Sequence, residues 1–224
     1  MELTEFRKQA SELSGGTSAD AVKNLVIRCL ADAGSQGELL DFGAGRGELL
    51  RRLKALGAHQ KLAGADLFGR PGNLDEAIDW YQQDLNLPLA IERRFDSVVC
   101  SEAIEHLENP RQTFRSLHAL LRPNGLLVLT MPNQECLRSY AGLLAGGHFT
   151  HFLGSSYPAH ITALLRMDLT RICRETGFSD PEFSFSGEGG IPKMPSVLWQ
   201  SVTFGLARGR LFSDNVAMVA RRID

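Results

Sequence analysis

The chain has 224 residues, of which 43% are hydrophobic and 22% charged, enough apolar material to build the core of one α/β domain with some additions. Its formal net charge of −2 argues against general electrostatic capture of nucleic acid, and no apolar run approaches the roughly 18 residues a membrane span requires. Cys29, Cys100, Cys136 and Cys173 are too widely spaced for a metal or disulfide framework, and the acidic start Met1-Glu2-Leu3-Thr4-Glu5 is unlike a signal peptide, so a reduced, soluble, cytoplasmic protein is expected.

Residues 1–18 are polar and read as a flexible segment ending in the joint Ser14-Gly15-Gly16-Thr17-Ser18, and residues 19–224 as a single domain. Ala19 to Ala33 carries Val22, Leu25, Val26, Cys29 and Leu30 at helical spacing. Gly34 to Gly37 ends that helix and leads into a buried strand, Glu38-Leu39-Leu40-Asp41-Phe42. A glycine turn with Gly43, Gly45 and Gly47 follows directly, and then a helix with Leu49, Leu50, Leu53 and Leu56 on one face and Gly57 at its end. A dinucleotide fingerprint would need its third glycine at position 48, which is Glu48. That carboxylate also repels a polyphosphate, and no Gly-Lys-Ser/Thr follows.

Lys61 to Asp66 is a second strand, ending on an acid about twenty residues after the turn, where nucleotide-binding α/β folds place a ribose ligand. Asp66 therefore takes that role, with Leu67 beside it. Ala77 to Tyr81 is a third strand and Phe95 to Ser101 a fourth. Asn109-Pro110 opens a helix with Phe114, Leu117, Leu120 and Leu121 on its apolar face. Arg122 to Gly125 is a turn, and Leu126 to Asn133 is the fifth strand and its exit. Met167 to Gly177 is a helix, Pro181 to Ser186 a strand and Asn215 to Ala220 a closing strand. Two irregular stretches, at about 134–165 and 187–212, read as insertions that close over an acceptor. The apolar part of the second, Pro192 to Arg210, suits an acceptor cover, a subunit contact or a lipid surface equally. Basic and acidic side chains number 13 and 18 in residues 1–112 and 11 and 8 in residues 113–224, a solvated surface or a cue to an anionic acceptor near the second half.

The ordered set of the glycine turn, Asp66, Asp84 and the run Phe95 to Pro110 resembles the class I S-adenosylmethionine-dependent methyltransferases, over roughly residues 20–222. The resemblance implies a doubly wound, Rossmann-like sheet of seven strands, mostly parallel with an antiparallel last strand. It implies S-adenosyl-L-methionine as cofactor, with Asp41, Gly43, Gly45 and Gly47 at its amino-acid end and Asp66 and Leu67 at the ribose. Asp84 and Leu85 then meet the adenine, and Ser101 the methionine side.

The segment Glu102-Ala103-Ile104-Glu105-His106 is similar to that of the ubiquinone-pathway O-methyltransferases and the small-RNA 2′-O-methyltransferases. Glu102, Glu105 and His106 stand at i, i+3 and i+4, the spacing of one helical face. Two readings stay open. Glu105 and His106 activate or orient the acceptor as catalytic residues, or Glu102, Glu105, His106 and His160 hold a divalent metal. His148 and His151 read as loop packing. The expected activity is methyl transfer to an oxygen of a small-molecule acceptor, by resemblance a sugar or polyketide-like hydroxyl. The alternatives are a metal-dependent 2′-O-methyltransferase of RNA ends and a catalytically silent binding module.

Overall fold

The computed structural model describes residues 3–13 and 15–223; Met1, Glu2 and Ser14, used above for the N-terminus and the joint, lie outside the described residues. Two helices, α1 (Leu3–Leu13) and α2 (Asp20–Asp32), precede β1 (Glu38–Phe42), and α3 (Glu48–Leu56), β2 (Lys61–Asp66), β3 (Asp79–Gln82) and β4 (Phe95–Ser101) follow. A 3₁₀ turn over Ile104–His106 leads to α4 (Pro110–Leu120), β5 (Leu121–Pro132), α5 (Leu137–Gly146), α6 (Arg166–Glu175) and β6 (Glu182–Phe185). The chain ends with the hairpin β7 (Gly190–Ile191) and β8 (Met194–Leu198), the short α7 (Trp199–Val202) and β9 (Asn215–Arg221).

Seven strands form one sheet in the order β3-β2-β1-β4-β5-β9-β6. Parallel pairing links β3 through β5, and β9 runs antiparallel to both neighbours, as expected of the last strand. The strand pleat distributes side chains to two cores. Leu40, Phe42, Val98 and Cys100 face Phe114, Leu117, Leu169 and Ile172 of α4 and α6. Leu39 and Val99 face Leu25, Val26, Leu50 and Leu53 of α2 and α3. Each helix buries the face read from its spacing, except that Leu56 at the end of α3 is exposed. Helix ends follow local chemistry. Asn109 accepts from the Gln112 N–H ahead of Pro110, and Gly57 ends α3 in a left-handed conformation that lets its N–H reach the Leu53 carbonyl.

Four local expectations change. Leu3–Leu13, read as flexible, is a helix whose Arg7 reaches the carboxyl end of the sheet. The turn at Arg122 to Gly125 lies within β5: Phe95 pairs with Leu121 and Ser97 with Leu126, so the intervening residues bulge out, with Asn124 left-handed. The 134–165 stretch contains α5, which leaves Tyr140, Leu143 and Leu144 exposed and so is not a core helix. Pro192 to Arg210 holds β8 and α7.

Candidate active site

Strand order reverses between β1 and β4, because the chain leaves β1 toward β2 on one side and reaches β4 on the other. A crevice opens there at the carboxyl ends of the strands, the place where open α/β sheets bind ligands. It is a cavity of about 670 Å³. Asp41, Gly43, Gly45, Asp66, Leu67, Asp84, Leu85 and Ser101 all line it, with Glu102, Glu105, His106 and His160. Gly47 does not; it caps α3 with a φ of 69°.

The glycine turn is shaped by what stands against it. A Cβ on Gly43 would lie 2.7 Å from that of Ala103, and one on Gly45 would run into the Gly16 carbonyl. Both residues have positive φ, so side chains are excluded by conformation and by space. The Gly16 carbonyl also accepts from the Arg46 N–H. Glu48 accepts from Thr17 and from the buried Lys23, which hold its carboxyl down to about 2. These bonds fasten residues 15–18 over the turn.

Asp66 is 7% exposed. It accepts from the Gly45 N–H at 2.8 Å and the Phe68 N–H at 3.0 Å, and burial nevertheless raises its pKa. Asp41 is pushed up to about 7, by burial and then by the charge of Asp66. Asp84, implied at the adenine, accepts from Arg7 of α1 at 2.7 Å and from the Asn86 N–H at 2.9 Å. Arg7 donates from its other nitrogens to Glu108, so one guanidinium ties α1 to two loops at the cavity rim. The Ser101 hydroxyl lies 3.0 Å from that of Thr130.

Glu102, Glu105 and His106 do not share a helical face. Glu102 follows directly on β4 with a φ of 49°, and only a 3₁₀ turn follows. Its Oε2 accepts from Asn215 Nδ2 of β9 at 2.9 Å. Burial lifts its pKa to about 7 against the hydrogen bonds of Thr130 and Asn215. Glu105 is buried with Oε2 unpartnered; burial and then the charge of Glu102 raise its pKa well above the usual carboxylate value. His160 arrives from a distant loop, because the Ile161 and Thr162 N–H groups both donate to the Glu105 carbonyl and the Thr162 hydroxyl to that of Leu107. Its ring packs edge-on to His106, centroids 4.9 Å apart.

Carbonyl partners fix both tautomers. His106 Nδ1 lies 2.7 Å from the Ala159 carbonyl and His160 Nδ1 2.7 Å from that of His151, so each Nδ1 carries the proton and each Nε2 is the basic nitrogen. Burial lowers the His106 pKa, which keeps the ring neutral near pH 7. One ligand atom from each of Glu105, His106 and His160 falls within 4.8 Å of the others; Glu102 is not in that group. His148 and His151 lie off the cavity. His151 accepts from Arg138 at 2.9 Å and is held down to about 4 by burial and then by that arginine. Sequence reasoning missed Arg7, Phe68 and Ile161 in the lining; none sits in a motif.

A family model described as a methyltransferase domain matches residues 16–181. The malonyl-[acyl-carrier protein] O-methyltransferase of Hahella chejuensis is 29% identical over 178 residues, 74% of this chain and 61% of that protein, so the match spans less than two thirds of that relative. The ubiquinone biosynthesis O-methyltransferase of Aromatoleum aromaticum is 25% identical over 161 residues, 67% of this chain and 68% of that one. In fold, a SAM dependent methyltransferase from Archaeoglobus fulgidus is similar with a TM-score of 0.62 and 22% identity, covering 92% of this chain and 95% of that one. With the sheet order, the glycine turn and these matches in agreement, the chain belongs to the methyltransferase domain family, the class I S-adenosylmethionine-dependent methyltransferases.

Proposed function

We propose that the chain transfers a methyl group from S-adenosylmethionine to an oxygen of a small-molecule acceptor, with Glu105 and His106 at the acceptor. The observation that carries this reading is His106: a buried, neutral imidazole with Nδ1–H committed to Ala159, on a residue lining the same cavity as Asp41, Asp66 and Asp84. The side-chain-free turn at Gly43 and Gly45 fits a ligand that must approach the backbone closely. The bound sulfonium supplies an electrophilic methyl group. Asp66 then accepts from the ribose hydroxyls, Asp84 and Leu85 meet the adenine, and Asp41 with the turn faces the amino-acid end. Ser101 stands beside the methionine chain. Alignment does most of the work. His106 Nε2 takes the hydroxyl proton as the acceptor oxygen gains the methyl group, leaving S-adenosylhomocysteine, a methyl ether and a protonated imidazole.

Among the described residues the lining holds Asp41, Asp66, Asp84, Glu12, Glu48, Glu102, Glu105 and Glu108 with only Arg7 and Arg46 as fixed cations, and Arg7 is already committed to Asp84 and Glu108. A polyanionic RNA end finds little there to pair with, which favours a neutral hydroxyl of the sugar or polyketide type.

A second reading rests on the approach of Glu105, His106 and His160. Glu105 Oε2 is buried without a partner, and both imidazoles hold Nδ1–H on carbonyls, as metal-bound histidines do. These residues fit a divalent cation, which would lower the acceptor hydroxyl's pKa. Chelation separates the readings. Turnover lost in EDTA and restored by Mg²⁺ or Mn²⁺ selects the metal, and turnover indifferent to EDTA selects His106 acting alone. In either case His106→Ala lowers kcat by roughly 10²–10³-fold. Absence of S-adenosylhomocysteine binding by calorimetry would overturn the proposal.

A further inference from the structure

Residues 189–213, between β6 and β9, contain Lys193, Arg208 and Arg210 and no acidic residue. They form a projection closed by its own hydrogen bonds. Gln200 holds both ends of it, accepting from the Gly189 N–H and donating to the Ala207 and Phe212 carbonyls. Trp199 packs edge-on against Phe212 at its base, centroids 5.6 Å apart. The tip is a tight turn in which the Gly205 N–H reaches the Gln200 carbonyl and the Leu206 N–H that of Thr203.

At this tip Phe204 is 95% exposed and Leu206 85%, the first of them at a φ of 51°. A bulky residue at positive φ is strained, and the ring that Phe204 carries there stands in the solvent. Hydrophobic collapse would do the opposite. Beside the tip is a second cavity, of about 400 Å³, lined by Arg28, Ser186, Gln200, Gly205 and Arg208 among others and by no acid. Arg28 donates to the Phe185 carbonyl and Arg208 to that of Gly205. Among the described residues neither forms an ion pair with a carboxylate, whereas ten of the chain's nineteen arginines do.

We propose that this projection docks the protein on an anionic lipid bilayer, with Phe204 and Leu206 entering the acyl boundary and Arg28 and Arg208 meeting lipid phosphates. Charge selects the occupant. A second copy docked by this same face would bring its own cations, whereas an anionic surface complements two arginines free of carboxylate partners and repays exposed apolar side chains at the same place. The surface is independent of the methyl-transfer site, since neither Phe204 nor Leu206 lines that cavity.

Flotation of the full chain with vesicles of phosphatidylcholine and phosphatidylglycerol tests this, with pure phosphatidylcholine as the comparison. Binding is expected to the mixed vesicles only and to fall as salt is added. Phe204→Ser with Leu206→Ser lowers the partition coefficient roughly tenfold or more, and Arg28→Gln with Arg208→Gln lowers it by about the same factor. Both double variants keep the wild-type melting temperature and S-adenosylhomocysteine affinity. Should the first pair fail to fold, Phe204→Trp in the wild-type background gives a second readout: emission quenched by brominated lipid supports insertion. No flotation of the wild type, equal flotation with neutral vesicles, or a dimer in solution that the Phe204/Leu206 variant dissolves without any vesicle binding would overturn the proposal.

Discussion

In the proposed donor site, Asp41 sets stability against ligand binding. It is 2% exposed, beside Asp66, and its pKa sits at about 7. An unfolded aspartate ionises near 4, about 3.9, so the folded form is favoured most below that value. That advantage is lost as pH rises through about 7. Asp41→Asn is therefore expected to raise the melting temperature at pH 8 by several degrees, from about 1–2 kcal/mol, with the gain vanishing near pH 4. The same change weakens binding of S-adenosylhomocysteine, whose ammonium group would neutralise the carboxylate. Thermal melts across pH with calorimetry in parallel check both halves; an asparagine variant less stable than wild type at pH 8 contradicts the assignment. Gly43→Ala tests the turn itself. Positive φ and the close Ala103 Cβ make it destabilising by about 2 kcal/mol or more, with loss of ligand binding visible by calorimetry.

Helix α1 is fastened to the cavity rim through Arg7, whose side chain is 11% exposed against 10% for Asp84. Its partners are 77 and 101 residues away in the chain. Arg7→Ala leaves Asp84 part-buried and unpaired, which is expected to destabilise the fold by about 1–2 kcal/mol and to speed proteolysis of residues 1–18. S-adenosylhomocysteine should slow that cleavage in the wild type less than it would for a helix held only by ligand. Limited proteolysis with and without the ligand measures it. The other informative element is the short path from β4 to α4. Glu102, Glu105 and His106 have helical spacing in sequence, yet the positive φ at Glu102 breaks the continuity, and Asn215 of β9 claims the Glu102 carboxylate. His160 takes its place beside the other two, held there by backbone bonds from residues 161 and 162 to Glu105.

The inner strands of the main sheet and four of its helices were legible because burial imposes a period on them: strands covered on both faces become apolar runs, and covering helices repeat at 3.6 residues; the edge strands β3 and β6 are part-exposed and left a weaker trace, β6 as the alternating Phe183 and Phe185. The cavity acids were legible for a related reason, since Asp41 and Asp66 lie at the carboxyl ends of β1 and β2, and Asp84 and Glu102 just beyond those of β3 and β4. Contacts set by distant partners left no such mark. Arg7 sits in a polar stretch without a motif, the β7–β8 hairpin is too short to show alternation, and Phe204 is a hydrophobic residue whose importance lies in its exposure. Among the described residues no helix is long and apolar enough to cross a membrane.

In the proposed reaction one cavity aligns the methyl donor, held by Asp66, with an acceptor held at His106. A crystal structure of the complex with S-adenosylhomocysteine measures this most directly. The ribose hydroxyls are expected on Asp66, the adenine against Leu85 and the sulfur facing the imidazoles of His106 and His160. A ligand bound elsewhere, or one whose sulfur turns away from those two rings, would contradict it.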